Sequence, residues 1–434
     1  MELSSLKNKI MASDIGKRIA SGAFWSFTGT ALAKLIVLIS GIICARILGK
    51  ELYGEFGMVR STINMFVALG TAGLGMTATK YIAEFRQNSK ERIASIFFIT
   101  NGFALLTGLV ITILVLCLAE FLASYTLNSP HLVDAIRVGA LLLFITVING
   151  AQTGTLSGME NFKAIAINTF IASIFESTLM ILGAYYYGVI GAILGYGLGF
   201  VSLYITNHIS IRSDFKAHGV EIDRKLFNKG DLSLLYKFSL PAMLSSLLIA
   251  PTYWVARTML VNDSGFEELA IYEAAEQWRV IILFVPVAVG QIVLPILSSI
   301  VNDDNRKYWK VLKINILINL VVSLVIVLLV ALFSRYIMNA YGEGFDDTTT
   351  LIVLSSSAIF SAVSNVVGSA IASRAKMWVG FIFNMIWAIL VIAFTKIFLG
   401  MGYGALAIAL SFLCSYILHT IISYVYLKVT LKNG

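Results

Sequence analysis

Residues 271–295 read IYEAAEQWRVIILFVPVAVGQIVLP, and the fold turns on how this stretch is read. Its second half is apolar enough to enter a bilayer. Its first half carries Glu273, Glu276 and Arg279, spaced three apart and therefore on one broad helical stripe. A charge in the hydrocarbon region costs about 2.5–3.5 kcal/mol or more, so such charges tend to face a bundle interior or a watery cavity. Two readings stand. Either the stripe faces a cavity that other helices complete, or it lies at the membrane interface beside the short polar loop Asn262–Glu268, with Glu276 and Arg279 simply paired. Isolated charges on other apolar stretches favour the first.

Working outward, 58% of the 434 residues are hydrophobic and 13% charged, with a mean hydropathy of +0.86. An ordinary soluble protein is excluded. A span needs about 20 apolar residues. Twelve such runs occur, near 23–45, 56–79, 93–118, 136–157, 164–187, 189–210, 235–260, 271–300, 312–333, 350–372, 377–399 and 403–427. No polar stretch between them is long enough for a soluble domain. The expected fold is an all-α polytopic membrane protein.

The charge pattern gives orientation. With the N-terminus in the cytoplasm, 23 of the 32 Lys and Arg fall in cytoplasmic segments and 4 on the opposite side. This bias places both termini in the cytoplasm. The net charge of +8 is dispersed over short loops and is no nucleic-acid signal. Residues 1–22 have no cleavable-signal pattern and suit an interfacial amphipathic helix. The basic stretch 212–233 divides the rest into segments of six spans, 23–211 and 234–428, followed by a tail at 429–434. YGEFGMVR at Tyr53–Arg60 and YEAAEQWR at Tyr272–Arg279 are offset by 219 residues, and Gly191-Ala192 and Gly404-Ala405 by 213. Six spans is an even number, so such repeats run parallel, about an axis along the membrane normal.

The polar residues inside spans are the candidate site. Ser26, Thr30 and Lys34 share a face of span 1, with Lys34 at its centre, facing a cavity or snorkelling to an interface. Arg60 and Asn64 form a one-turn pair early in span 2. Arg257 ends span 7 on a stripe with Ser246, Ala250 and Tyr253, as a cavity group or an interfacial anchor. Asn168, Ala172 and Glu176 share a face of span 5. Glu176 there is either a proton site or a structural hydrogen-bonding group. Arg137 reads as interfacial. Pro241, Pro251, Pro286 and Pro295 in spans 7 and 8 are expected to bend them, as gate elements or as static kinks. The glycines in spans 2 and 6 read as close-packing seams rather than a nucleotide loop. Cys44, Cys117 and Cys414 read as small buried hydrophobes. None of the four histidines has a metal-ligand partner at helical spacing, and no enzyme constellation or metal site is expected.

ARILGKELYGEFGMVRSTINMF followed by GLGMTATKYIAEFR, SLPAMLSS in span 7 and YEAAEQWRVIILFVPVAVGQIVLPILS in span 8 together resemble the O-antigen-type polysaccharide flippases. These belong to the multidrug/oligosaccharidyl-lipid/polysaccharide exporter superfamily. The resemblance covers nearly the whole chain. It implies two six-helix lobes around a central cavity in a bacterial cytoplasmic (inner) membrane. It also implies alternating-access movement of an undecaprenyl-pyrophosphate-linked oligosaccharide to the outer leaflet, alongside glycan-assembly proteins such as a polymerase. Arg60 and Arg279 match the cationic diphosphate-binding pattern by position, and Lys34 by helix. With Asn64 and Arg257 they form the expected substrate set. Glu273 and Glu276 depart from a purely cationic lining. With Glu176 they leave room for a coupling cation, H+ or Na+, and no other cofactor is expected. The rival readings are a drug/cation antiporter of the same superfamily and a membrane glycan polymerase.

Overall fold

A computed structural model describes residues 14–71, 73–86, 89–221, 248–299, 305–374 and 376–432. Residues 1–13, most of the basic connection 212–233, and the start of the seventh span with SLPAMLSS and Pro241 lie outside the described residues. The described chain is helical almost throughout and contains no strand. In order the helices are α1 (Asp14–Thr71), α2 (Leu74–Phe85), α3 (Lys90–Glu120), α4 (Val133–Leu141), α5 (Leu143–Gly158), α6 (Phe162–His218), α7 (Ile249–Ser299), α8 (Asn305–Leu332), α9 (Ser334–Asn339), α10 (Thr348–Ser373), α11 (Met377–Gly400) and α12 (Ala405–Lys432). A π-turn at Phe121–Thr126 and a 3-10 turn at Pro130–Leu132 join α3 to α4. Among the described residues eight candidate spans are long and apolar enough to cross a membrane, and the chain is a multi-pass membrane protein.

Three helices are too long for one crossing. At 1.5 Å per residue, 58 residues of α1 would extend to about 87 Å against a hydrocarbon core of about 30 Å. Each is divided by one glycine in a conformation other residues resist: Gly49 in α1 (φ 77°, ψ 172°), Gly188 in α6 (φ 58°, ψ −139°) and Gly265 in α7 (φ 85°, ψ 179°). These breaks fall where the sequence places turns between adjacent spans. Gly49 and Gly265 share nearly the same geometry and lie 216 residues apart, between the two repeat offsets. The left-handed Gly73 caps the start of α2, so this glycine of span 2 makes a break rather than only a seam. Helix α7 runs on through Pro286 and Pro295, and the residue leaving helical geometry in it is Gly265.

The helices bury their small faces. On α3 the buried series Thr100, Ala104, Gly108 and Thr112 recurs every four residues, while Leu105, Leu106, Val110 and Ile113 are exposed. A water-soluble helix would do the reverse. In lipid, tails solvate large apolar side chains, and close contact of small ones provides the packing. Gly183 and Gly191 press backbone against backbone across the turn at Gly188, and Gly195 lies against the backbone of Leu179. This agrees with reading the glycines as seams. Cys44 is buried, Cys414 half-buried, and Cys117 is exposed rather than buried, because it shares the outward face of α3.

The described residues pack as two compact units. The first takes residues up to Ser40, Ile63–Glu120 and the chain from Val133 to residue 221. The second takes Gly41–Thr62, Phe121–Leu132 and the chain from Leu248 onward. In the first, Tyr81, Ile82, Phe85, Phe97 and Phe215 form one core. In the second, Tyr308, Leu312, Val366 and Ile371 form another. The turn between the first two spans thus packs in the unit that holds α7.

Candidate functional site

The deciding stretch lies in the second unit, against the segment around Tyr53–Arg60. Gly54 and Gly57, one turn apart, allow the approach. A Cβ on Gly57 would stand 2.6 Å from Glu273 Cγ, and one on Gly54 would strike the carbonyl of Phe266. Tyr53 and Tyr272 are fully buried on either side of this contact. With the helices so close, Arg60 Nη2 donates to Glu273 Oε2 at 2.8 Å, and Arg257 Nε donates to Glu273 Oε1 at 2.5 Å. One carboxylate, 1% exposed, thus joins two guanidiniums from different helical segments.

A second ion pair lies one turn along α7. Arg279 donates from Nε and Nη2 to the two carboxylate oxygens of Glu276, at 2.6 and 2.7 Å. Its Nη2 also donates to the Tyr253 hydroxyl at 2.7 Å. Tyr253 links the two pairs, because its carbonyl accepts from Arg257 Nη1 at 3.3 Å. Aromatic rings enclose the cations. Arg279 stands 5.4 Å from the Tyr253 ring centre and 5.5 Å from Phe412, and Arg257 stands 5.0 Å from Tyr272. Arg279 is 4% exposed, and its Nη1 is a buried donor with no partner among the described residues.

Buried charges persist when paired and fully hydrogen-bonded. Among the described residues of this network three guanidiniums face two carboxylates, one positive charge in excess, and Arg279 Nη1 is an open donor. Such an arrangement is suited to an anion that can accept from several guanidiniums together. On one side the network continues into uncharged contacts. Gln277 donates to the Tyr53 hydroxyl, and Tyr53, Tyr341 and Phe345 pack ring to ring. Trp254 Nε1 donates to Thr62 Oγ1 at 2.9 Å.

Of the expected site residues, Arg60, Arg257, Glu273, Glu276 and Arg279 meet in this network. The bidentate Glu276–Arg279 pair is as the interfacial reading drew it, but the pair is buried. Asn64 belongs to the first unit, where it accepts from the Tyr196 hydroxyl at 3.0 Å. Lys34 and Glu176 also belong to the first unit and are half-buried, Glu176 with its stem against Gly199. Arg137 is half-exposed and lies 3.5 Å from Asp134. The rings of Phe412 and Trp387 and the pair Gly54 and Gly57 carry no charge signal. The glycine spacing just before Arg60 was the one available clue. Among the described residues no cluster of three His, Cys, Asp or Glu side chains is arranged to hold a metal ion.

A family profile described as "Polysaccharide biosynthesis protein" matches residues 19–301. The chain belongs to this family. This polysaccharide biosynthesis protein is 22% identical, over 82% of its length and 85% of the relative's, to a putative O-antigen transporter of Shigella flexneri. It is 21% identical, over 94% of its length and 80% of the relative's, to the lipopolysaccharide biosynthesis protein WzxC of Escherichia coli K12. A match to the EPS I polysaccharide export inner membrane protein EpsE of Ralstonia nicotianae is 25% identical but spans 43% of each chain. The fold is that of a solved inward-facing multidrug resistance MATE family transporter of the MOP superfamily, with a TM-score of 0.80 and 17% identity over 92% of this chain and 95% of that one. A Pyrococcus furiosus transporter of the same superfamily, whose title speaks of a reversed polarity of its binding pocket, gives 0.73 at 18% identity over 96% of each chain.

Proposed function

We propose that this polysaccharide biosynthesis protein is a flippase. It carries an undecaprenyl-pyrophosphate-linked oligosaccharide from the cytoplasmic to the outer leaflet, through twelve spans arranged as two six-helix lobes. The observation that carries the reading is the buried Arg60–Glu273–Arg257 and Glu276–Arg279–Tyr253 network, with its excess positive charge and open Arg279 donor. A diphosphate is an acceptor-only anion, and guanidiniums bind it through paired N–H groups. A cationic drug would be repelled by the same excess charge, which weighs against the antiporter reading.

The carboxylates give the cycle its second half. Each guanidinium needs an acceptor when buried, and Glu273 and Glu276 supply it while no substrate is bound. A diphosphate that takes over Arg60, Arg257 or Arg279 releases a carboxylate, which must then bind H+ or Na+ to remain in a dry interior. Substrate and coupling cation are thus linked through one set of hydrogen bonds, as linked binding requires. Glu176 is the candidate for the same role in the first unit. The site works in a bacterial cytoplasmic membrane with both termini inside, next to the enzymes that make and polymerise the repeat unit. Lys34 and Asn64 are the candidate substrate-binding residues of the first unit.

Deletion of the gene and complementation with Arg279→Ala tests this. The expected outcome is loss of surface glycan with lipid-linked repeat units held on the inner leaflet, while the protein stays in the membrane at its usual level. Surface glycan at the wild-type level in the Arg279→Ala strain would overturn the assignment.

A further inference from the structure

Histidine 419 stands fifteenth of the 28 residues of α12, near mid-helix, and takes no part in the network above. Hydrogen-bond direction fixes its state. Thr420 Oγ1 donates to the carbonyl of Tyr416 at 2.7 Å, with a longer 3.2 Å branch to Phe360. A carbonyl only accepts, so the one hydroxyl proton of Thr420 is used. Ser364 Oγ lies 2.7 Å from Thr420 Oγ1 and must therefore be the donor. The Ser364 proton is then used as well. The 3.1 Å contact between His419 Nδ1 and Ser364 Oγ consequently runs from an Nδ1–H to the serine oxygen. The neutral ring is thus the Nδ1–H tautomer, and Nε2 is a bare lone pair. That atom is buried and has no partner among the described residues. The ring is held edge-on to Phe383, with centroids 6.5 Å apart.

A basic nitrogen with an open lone pair, inside a membrane bundle and oriented by a second-site hydrogen bond, is the arrangement of a proton acceptor. We propose that His419 Nε2 is a proton-binding site of the transport cycle, so that the coupling ion bound in the second unit is H+. This rests on the flippase reading. The balance is simple: Nε2 gains one proton, Nδ1–H stays on Ser364, and the ring gains one positive charge with no other bond changed.

The surroundings tie that charge to the site. Tyr416 lies one turn from His419 on the same face of α12, and its hydroxyl is 3.4 Å from that of Tyr253, which accepts from Arg279. From α7 the charged and titratable groups on this side are Tyr253, Glu276 and Arg279. From α10 the group that meets the ring is the Ser364 hydroxyl. From α11 it is Phe383, with Trp387 against Tyr416 and the one charge of that helix, Lys396, near its far end. Toward the other end lie Lys376 over Tyr426, Lys313 over Trp309, and Arg374 over Tyr308. Among the described residues, the charges named here are the Glu276–Arg279 pair and the cations Lys313, Arg374, Lys376 and Lys396. A protonated His419 adds to the positive excess that a diphosphate meets, and its loss of the proton lowers that excess. Proton and substrate therefore favour each other's binding.

Two measurements decide it. In full-length protein with ring-15N-labelled histidine, a variant lacking His131, His208 and His218 leaves one signal. The expected spectrum is the Nδ1–H tautomer, with Nε2 gaining its proton as the pH is lowered on the folded protein. An Nε2–H tautomer, or an Nε2 that stays unprotonated at every pH where the protein is folded, overturns the proposal whatever the protein transports. In proteoliposomes containing undecaprenyl-pyrophosphate-linked oligosaccharide, an imposed pH gradient is expected to change wild-type flipping at least tenfold. His419→Asn keeps a donor for Ser364 and removes the proton site, and is expected to abolish that response. Wild-type flipping that ignores the gradient, or an undiminished response in His419→Asn, also overturns it. A wild-type protein that flips nothing defeats the flippase reading instead, and the spectrum still judges proton binding at His419.

Discussion

Glu273 is the residue on which the site's electrostatics balance. Its two oxygens satisfy Arg60 and Arg257 at once. Removing one partner of a buried ion pair costs about 3–5 kcal/mol, because the other charge is left without a partner. Glu273→Gln removes the carboxylate that pairs with both Arg257 and Arg60. It is expected to lower unfolding stability in detergent by at least that order, measured by thermal or denaturant unfolding of the purified protein. Arg137→Ala, on a half-exposed pair, is expected to change stability by less than ~1 kcal/mol in the same assay. Equal effects of the two would mean that Glu273 is not carrying two buried guanidiniums. The charged members of this network were legible in the sequence, because a charge in an apolar run is conspicuous. Their pairing was not. Which carboxylate meets which guanidinium depends on the approach of two helices more than 200 residues apart in the chain.

At the scale of elements, the approach of the Tyr53–Arg60 segment to α7 depends on Gly54 and Gly57. Gly57→Val places branched carbon against the stem of Glu273. Transport by this variant is expected to fall at least tenfold, while Gly102→Ala, where a Cβ meets nothing, leaves it unchanged. A cell-surface glycan assay reads both. The turn glycines test the hairpin assignments in another way. Gly49 and Gly265 hold φ near +80° with extended ψ, a region nearly closed to other residues. Gly49→Ala and Gly265→Ala are each expected to cost on the order of 1–3 kcal/mol in unfolding. The sequence placed the turns between spans correctly at these positions, since polar residues interrupt the apolar runs there. It did not anticipate that Gly73 would interrupt the second span. Pattern alone does not separate a glycine that packs from one that breaks a helix.

On the scale of the whole molecule, membrane character and helical class were readable from composition, since no soluble core could hold so much apolar surface. Two halves were expected from the basic connection, but the short segments that join the later unit were not. Gly41–Thr62 and Phe121–Leu132 join the unit of the later chain, although the sequence divides most visibly at the basic connection. Side chains that settle such a boundary are small, buried and uncharged, and leave no periodic mark. The orientation remains an expectation from loop charge. Single cysteines at Gly342 and at Glu91, placed in a cysteine-free background, are expected to react with a membrane-impermeant maleimide from outside and from inside the cell, respectively. The opposite pattern would invert the topology.

The central claim is that the buried arginines hold a lipid-linked diphosphate, and binding measures it without requiring transport. Purified wild-type protein in detergent is expected to bind undecaprenyl pyrophosphate, read by native mass spectrometry or by ligand-induced thermal stabilisation. Arg279→Gln is expected to weaken that binding at least tenfold, and Arg60→Gln to weaken it as well. Undecaprenyl pyrophosphate bound equally by the wild type and by both folded variants would contradict the account.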